Sequence, residues 1–355
     1  MNNANLIKLP GLIDAHVHLR EPGAVQKEDF SSGTMAAIAG GYTTIIDMPN
    51  NPEPTVTPEA LNKKIDLAKG KIYCDLGFHF GATAESSQYF EEIKNKVFGY
   101  KLYMSHTTGP LLVDKDTDLD LVFFKCPKDR MILIHAEGEP FFKSLELAKK
   151  FSQKLHICHV SRKDEILAIR KLKEEGFPIS CEVSCHHLFL NVNDVKKLGA
   201  FGMMRPPLQS ETDVKALWEN LKYFDIIASD HAPHTKEEKL SETPPFGIPG
   251  LETTLPLLLT AVNEGKLTIE RLIELTSTNP AKLYNIKVEP NTFTIVDMDE
   301  EYFIDPKKLY TKCGWTPFEN RKMKGKVIEV VLRGTSVFKD GKVLEPAEGK
   351  VIFTT

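Results

Sequence analysis

Three polar residues, His16, His18 and Arg20, occupy alternate positions directly after the apolar run of residues 9–13. Because side chains alternate across a β-strand, both imidazoles project to one side, and a fixed positive charge lies about 6–7 Å beyond His18. Two imidazoles on one face at the end of a buried strand provide half of a metal site. An isolated pair could equally be a strand end with two histidines facing solvent. The interpretation therefore depends on partners elsewhere in the chain.

Further polar side chains stand at the carboxyl ends of apolar β-type runs, namely Lys101, His135, His159 and Asp230. In a parallel barrel these ends meet at one mouth, where active sites are built. A charge buried there needs a partner, and these residues together with the first two histidines can share two divalent ions if the lysine carries a bridging carbamate. Taken singly, the lysine would be a surface residue and each histidine a core residue. His156 and His159 face opposite sides of one strand, and the pattern alone leaves open which of them is a ligand.

The elements that must position these residues alternate between β and α. Short runs rich in Val and Ile predict strands at residues 12–19, 43–48, 72–80, 97–104, 131–135, 155–160, 179–183 and 225–229. Helices are predicted over 28–39, 162–175 and 211–221, and from an N-cap at Thr57. This α/β order favours a (β/α)8 TIM-like barrel over residues 8–285 rather than a doubly wound sheet, although the pattern does not separate the two. Short strands and turns after that point predict a small C-terminal β appendage at residues 286–355.

Composition excludes several classes of partner. The 355 residues include 45 basic and 49 acidic side chains, a net charge of −4, so no global field attracts nucleic acid or an anionic membrane. The sequence contains no apolar stretch of 18 residues and starts with a polar segment, which predicts a cytoplasmic protein. Its six cysteines lack a framework spacing, which argues against disulfides.

Four ordered motifs carry a resemblance to a known family. They are DAHVHLREPG at residues 14–23, DMPN at 47–50, HICHV at 156–160 and SDHAPH at 229–234. Together they resemble the dihydroorotases of the amidohydrolase superfamily, and most closely the dihydroorotase domains of animal-type multifunctional pyrimidine-synthesis proteins. The resemblance extends from about residue 9 to residue 318, nearly the whole chain.

The resemblance implies a ligand set for two zinc ions. His16, His18 and Asp230 would hold one ion and His135 and His159 the other, with carboxylated Lys101 bridging them. This choice also favours His159 over His156. The implied activity is the reversible cyclisation of N-carbamoyl-L-aspartate to (S)-dihydroorotate plus water, with Asp230 as the catalytic proton acceptor and donor.

The substrate keeps a carboxylate in both directions, and Arg20 is its natural bidentate partner. Asn50 and His234 can add further donors. The resemblance assigns these residues to the substrate and adds Arg205 and the loop around Phe246 to the pocket lining. Arg205 could instead be a rim residue that contacts only backbone, and Phe246 is expected to act through its backbone alone.

Two further features lie close to the predicted mouth. The segment of residues 105–110 suits a mobile lid in which Thr107 and Thr108 donate to the substrate, although an ordinary surface turn has the same composition. Cys158 and Glu182, together with His16, form a candidate third zinc site that the resemblance also implies. A regular strand would direct Cys158 away from the mouth, so this site needs a twist or bulge at the strand end. Otherwise Cys158 is a small buried hydrophobe.

Two alternatives to an active dihydroorotase deserve a test. An allantoinase or hydantoinase would use the same metals on a related cyclic ureide, but its substrate lacks the carboxylate that Arg20 matches. A catalytically inactive assembly module would retain the fold without the chemistry. We further expect a homodimer. Because the chain begins almost directly at the first barrel strand, we also expect a piece of a larger polypeptide.

Overall fold

Fourteen strands and thirteen α-helices are found in residues 5–354, the part of the chain that this computed structural model describes. The strands are β1 Leu6–Pro10, β2 Leu12–Val17, β3 Tyr42–Asp47, β4 Asp75–Phe78, β5 Phe80–Gly81, β6 Tyr100–Tyr103, β7 Met131–His135, β8 Lys154–Ile157, β9 Ile179–Ser184, β10 Ile226–Ala228, β11 Phe293–Phe303, β12 Lys322–Leu332, β13 Thr335–Lys339 and β14 Lys342–Val343. The helices are α1 Phe30–Ala39, α2 Pro58–Ala68, α3 Phe90–Ile93, α4 Asp116–Lys125, α5 Glu139–Phe151, α6 Lys163–Glu174, α7 Cys185–Phe189, α8 Val192–Leu198, α9 Glu211–Glu219, α10 Lys236–Lys239, α11 Leu251–Asn263, α12 Ile269–Ile273 and α13 Asn279–Tyr284.

The predicted TIM-like barrel is confirmed. β2, β3 and β4 pair in parallel, and β5 to β10 form a second parallel run in chain order. A single residue, His79, separates β4 from β5, so the predicted strand over residues 72–80 is interrupted there. A parallel bridge between Val17 and His231 joins β2 to the chain after β10. These connections place eight strand positions around one axis, with the carboxyl ends at a common mouth.

Local sequence explains where the outer helices begin. At α2 the Thr57 hydroxyl accepts a hydrogen bond of 3.2 Å from the backbone of Ala60, and Pro58 opens the first turn. At α1 the cap is Asp29, so the helix starts two residues later than predicted. Strands β2, β3, β7 and β9 are buried along their whole length, as expected of a parallel sheet covered by helices.

The β appendage is a five-stranded antiparallel sheet in the order β1-β11-β12-β13-β14. Four of its strands follow residue 285, as predicted, but β1 comes from the other end of the chain and pairs with β11 from Leu6 to Pro10. The division at residues 285 and 286 remains a proposal. No described helix is long and apolar enough to cross a membrane.

Candidate metal-dependent active site

The first group of side chains at the barrel mouth consists of His16, His18 and Asp230. His16 belongs to β2, His18 directly follows β2, and Asp230 lies two residues after the end of β10. Asp230 Oδ1 lies 3.3 Å from His16 Nε2 and 3.2 Å from His18 Nε2. All three side chains are buried, and one donor atom from each falls within 4.8 Å of the others. This arrangement can hold one divalent cation.

A second group adjoins the first. His135 Nδ1 and His159 Nε2 face each other at 2.9 Å, and the rings of His16 and His159 lie 5.3 Å apart. The remaining ring nitrogens, His135 Nε2 and His159 Nδ1, are buried without a hydrogen-bond partner among the described residues. Burial, followed by nearby positive groups including Lys101, holds the pKa values of His135 and His159 well below the ordinary value. Neutral imidazoles with unsatisfied nitrogens are the form that binds a metal ion.

Lys101 projects from β6 between the two groups. Its side chain is fully buried, and its Nζ contacts Cys158 Sγ at 2.9 Å. Within residues 5–354, no carboxylate lies at ion-pair distance from this amine. A buried lysine without a counter-ion is unfavourable, and conversion to a carbamate would turn it into an anionic ligand between the two groups. The donor set therefore fits a binuclear centre.

Glu182 anchors a third group. Its carboxylate is hydrogen-bonded to His16 Nδ1 and lies 3.0 Å from His156 Nε2, and it also accepts the His159 backbone N–H at 3.1 Å. Burial opposes its negative charge, but the flanking histidines outweigh burial and hold the pKa of Glu182 well below its ordinary value. Donor atoms of His16, Cys158 and Glu182 also lie within 4.8 Å of one another. The structure thus brings the predicted third group together and places His156 behind it, against Glu182.

Unusual backbone geometry explains how neighbouring residues reach the same mouth. Arg20, His159 and Asp230 have φ angles of 63°, 33° and 46°, in the left-handed region that non-glycine residues seldom adopt. Each such residue costs about 1–3 kcal/mol and persists only where the surroundings enforce it. At His159 the change ends the regular alternation of β8. Cys158 can then face Lys101 while His159 faces His135.

The small cavity above these groups is lined by the predicted substrate-binding residues Arg20, Asn50, Arg205 and Phe246. Arg20 is buried, and burial lowers its pKa to about 10, so the guanidinium stays charged at neutral pH. Its Nε donates to the Pro233 carbonyl at 3.0 Å, and no carboxylate of the described chain forms an ion pair with it. A buried, unpaired cation that lines a cavity favours an anionic ligand.

The other predicted contacts connect the lid segment to the cavity wall. Asn50 holds His18 Nδ1 at 2.7 Å through Oδ1 and donates from Nδ2 to the Thr108 carbonyl at 2.7 Å. The Thr108 hydroxyl donates to the Phe246 carbonyl at 3.0 Å, and His234 Nε2 lies 2.9 Å from the same oxygen. The Phe246 carbonyl thus joins the lid segment to His234. Thr107 also lines the cavity.

Arg205 lies at the rim, stacked on Phe246 with its guanidinium carbon 4.5 Å from the ring centroid. Its Nη1 is 3.7 Å from a carboxylate oxygen of Glu137. Tyr103 also lines the cavity and follows the predicted ligand Lys101 by two positions on β6, so the alternation of a strand places both on the same face. Glu137 lies two residues beyond the end of β7, where this alternation no longer applies, so sequence reasoning misses it.

Comparisons with known proteins agree with this geometry. The model of the amidohydrolase family matches residues 7–337. The chain belongs to the amidohydrolase family. It is 39% identical to a dihydroorotase of Pyrococcus horikoshii, with 98% of the chain and 84% of the relative covered. It is also 46% identical to the multifunctional protein CAD of Squalus acanthias, of which it spans only 16% while 98% of the chain is covered.

Two solved structures share the fold of this chain. An L-hydantoinase from Arthrobacter aurescens matches with a TM-score of 0.92 and 25% identity, covering 98% of the chain and 89% of that structure. An inactive dihydroorotase-like domain of a CAD-like multifunctional protein from Chaetomium thermophilum matches with a TM-score of 0.84 and 24% identity, covering 98% and 99%. The predicted resemblance to dihydroorotases and the predicted barrel are both confirmed.

Proposed function

We propose that this chain is a dihydroorotase of pyrimidine biosynthesis, a zinc-dependent cyclic amidohydrolase that interconverts N-carbamoyl-L-aspartate and (S)-dihydroorotate plus water. The observation that carries the proposal is the buried, unpaired guanidinium of Arg20 beside two groups of metal-ligating side chains. The likeness to curated dihydroorotases supports the same activity.

In this proposal His16, His18 and Asp230 hold one zinc ion, His135 and His159 hold the other, and carboxylated Lys101 bridges the two. When bound, such a pair of ions lowers the pKa of a water molecule and polarises an amide carbonyl. His16, Cys158 and Glu182 form the proposed third zinc site. The buried ring nitrogens of His135 and His159 that lack a hydrogen-bond partner among the described residues support the assignment of the second site.

Asp230 is the proposed proton-transfer residue. Its carboxylate lies at the barrel mouth, 3.3 Å from His16 Nε2, and lines the cavity. In the hydrolytic direction its carboxylate accepts a proton from the attacking water and delivers it to the departing ring nitrogen. In the cyclisation direction it removes a proton from the ureido nitrogen. Cyclisation converts two carboxylates into one and consumes a proton, so lower pH favours the ring.

Arg20, Asn50 and His234 bind the substrate carboxylate in this proposal, and Arg205 and the Phe246 backbone line the pocket. The hydrogen bonds that join Asn50 and Phe246 to the lid segment would be exchanged for bonds to substrate. Thr107 and Thr108 would then close over the bound molecule.

The cellular setting is also a proposal. Similarity to short segments of multifunctional proteins supports a place for this chain in a larger pyrimidine-synthesis polypeptide. We further propose that the protein is a cytoplasmic homodimer and that it binds the small-molecule substrate. Sedimentation velocity of the purified chain at several concentrations tests the dimer, and a single species of 39.9 kDa would refute it.

The decisive experiment measures zinc content and turnover with dihydroorotate, allantoin and hydantoin in parallel. We expect at least two zinc ions per chain and turnover of dihydroorotate alone. Preferential turnover of hydantoin or allantoin would refute the assigned substrate. A zinc-loaded chain without turnover of any of the three would indicate the inactive assembly module.

A further inference from the structure

Lys239, at the end of α10, is a lysine with no exposed surface. Its ammonium donates three hydrogen bonds, all to backbone carbonyls: to Pro245 at 2.8 Å, to Met203 at 3.0 Å and to Gly247 at 3.2 Å. Within the described part of the chain, no carboxylate forms an ion pair with it. Burial lowers the pKa of Lys239 to about 8, so its charge is kept at a cost to stability. A residue retained at such a cost is a candidate for function.

The three carbonyls lie in the two segments that form the cavity wall. Pro245 and Gly247 flank Phe246, and Met203 lies two residues before Arg205. The Met203 carbonyl also accepts the Gly247 N–H at 3.1 Å, which joins the two segments to each other. Lys239 therefore lies beneath both parts of the wall that are assigned to substrate binding.

The hydrogen bonds of Lys239 also determine the direction of the Phe246 carbonyl. The carbonyls before and after it point to Lys239, whereas the Phe246 carbonyl accepts a hydrogen bond from Thr108 Oγ in the lid segment and lies 2.9 Å from His234 Nε2. The loop has little freedom to move away, because a Cβ added at Gly247 would lie 2.6 Å from the Ala232 carbonyl oxygen. With both flanking carbonyls held by one ammonium, the intervening carbonyl is directed to the opposite side, toward Thr108 and His234.

We propose that Lys239 is a positioning residue for substrate binding, which orients the Phe246 carbonyl and the Met203–Arg205 segment toward the bound molecule. The inference rests on the proposed dihydroorotase function. Lys239 touches neither the substrate nor the ligand groups, so its loss should act on substrate affinity and leave the metal-dependent step intact.

The test compares Lys239→Met with Lys236→Met, an exposed lysine on the same short helix that serves as the matched control. We expect KM for dihydroorotate to rise at least about tenfold in Lys239→Met, with kcat per folded, zinc-loaded chain within about threefold of wild type; tenfold corresponds to about 1.4 kcal/mol of binding. The amide of Lys239→Gln can still donate two hydrogen bonds, so its KM for dihydroorotate should lie between those of wild type and Lys239→Met. Zinc content and urea unfolding are measured on every sample.

A purely structural role gives a different result, namely fewer active molecules with an unchanged KM. That outcome, or kinetics within twofold of wild type in Lys239→Met, would overturn the proposal. If Lys239→Met does not fold, the KM of Lys239→Gln decides by the same criteria. If neither variant folds, Lys239 is a residue required for folding, and this result also overturns the proposal. A wild-type chain that does not turn over dihydroorotate would refute the proposed function instead.

Discussion

The buried ion pair between Lys64 and Asp47 gives the sharpest quantitative prediction. Lys64 Nζ lies 2.6 Å from Asp47 Oδ2 and also donates to the Met48 carbonyl at 2.9 Å and to Asn51 Oδ1 at 2.8 Å. Both members of the pair have no exposed surface. Burial raises the pKa of Asp47 and lowers that of Lys64, so each charge depends on the other. The pair holds the end of β3, directly before Asn50.

We expect Lys64→Met to lower the free energy of unfolding by about 3–5 kcal/mol at pH 8, the usual cost of leaving one member of a buried ion pair unpartnered. The matched control is Lys63→Met on the same helix. Lys63 pairs with Glu53 at the surface, where both side chains are 55% exposed, and such a pair contributes about 1 kcal/mol or less. The assay is urea unfolding at a fixed zinc concentration.

The pH dependence tests the physical reason for the loss. Without Lys64, the folded-state pKa of Asp47 rises further above its unfolded value, so the folded variant binds more protons than the unfolded chain. Its stability is therefore lost as pH rises from about 4 toward the raised pKa, at about 1.36 kcal/mol per pH unit. The deficit relative to wild type should therefore be smaller at pH 5 than at pH 8. A deficit no larger than that of Lys63→Met, or one independent of pH, would refute this reasoning.

The other predictions concern the centre itself. Asp230→Asn keeps an oxygen ligand but loses the base, so kcat should fall about 100-fold or more with zinc retained; a smaller loss in steady-state assays argues for another base. Arg20→Lys loses the bidentate fork and should raise KM much more than it lowers kcat, and normal substrate binding would place the carboxylate elsewhere. Lys101→Ala should abolish turnover, with partial rescue by short carboxylic acids, whereas full activity would exclude a bridging role. Cys158→Ser should lose only the zinc in excess of two per chain by metal analysis, and two zinc ions in both proteins would leave Cys158 as packing.

Local pattern indicated the alternating strands and helices and the polar strand ends, but it did not separate a barrel from a doubly wound sheet. Strand and helix periodicity are short-range properties, and the end of a parallel strand is where polar side chains can leave the core. His16, His18, Lys101 and Asp230 could thus be recognised one strand at a time. The interruption of the predicted strand at His79 could not be recognised in this way. The His79 ring is hydrogen-bonded at 3.1 Å to the carbonyl of Ala15, which lies on another strand.

The pairing of strands that are distant in the sequence cannot be predicted from local periodicity. β1 joins the antiparallel sheet through β11, and a strand-by-strand pattern carries no information on which distant segment it meets. Lys64 shows the intermediate case. It falls on the face of α2 that also carries Leu61, Ile65 and Ala68, so the helical period signals a buried lysine but not its partner Asp47.

The sequence by itself determined the residue types, their order and the strand ends that carry them, because each of these is set by neighbours in the chain. Only the tertiary structure decided which nitrogen, thiol and carbonyl atoms come together. Cys158 and His159 share the mouth through a backbone conformation that is unfavourable locally and is enforced by packing. The hydrogen-bond partners of Lys239 are backbone carbonyls from segments that precede and follow it in the chain. Because every residue carries a backbone carbonyl, the pattern of residue types does not show which of these carbonyls points toward the lysine.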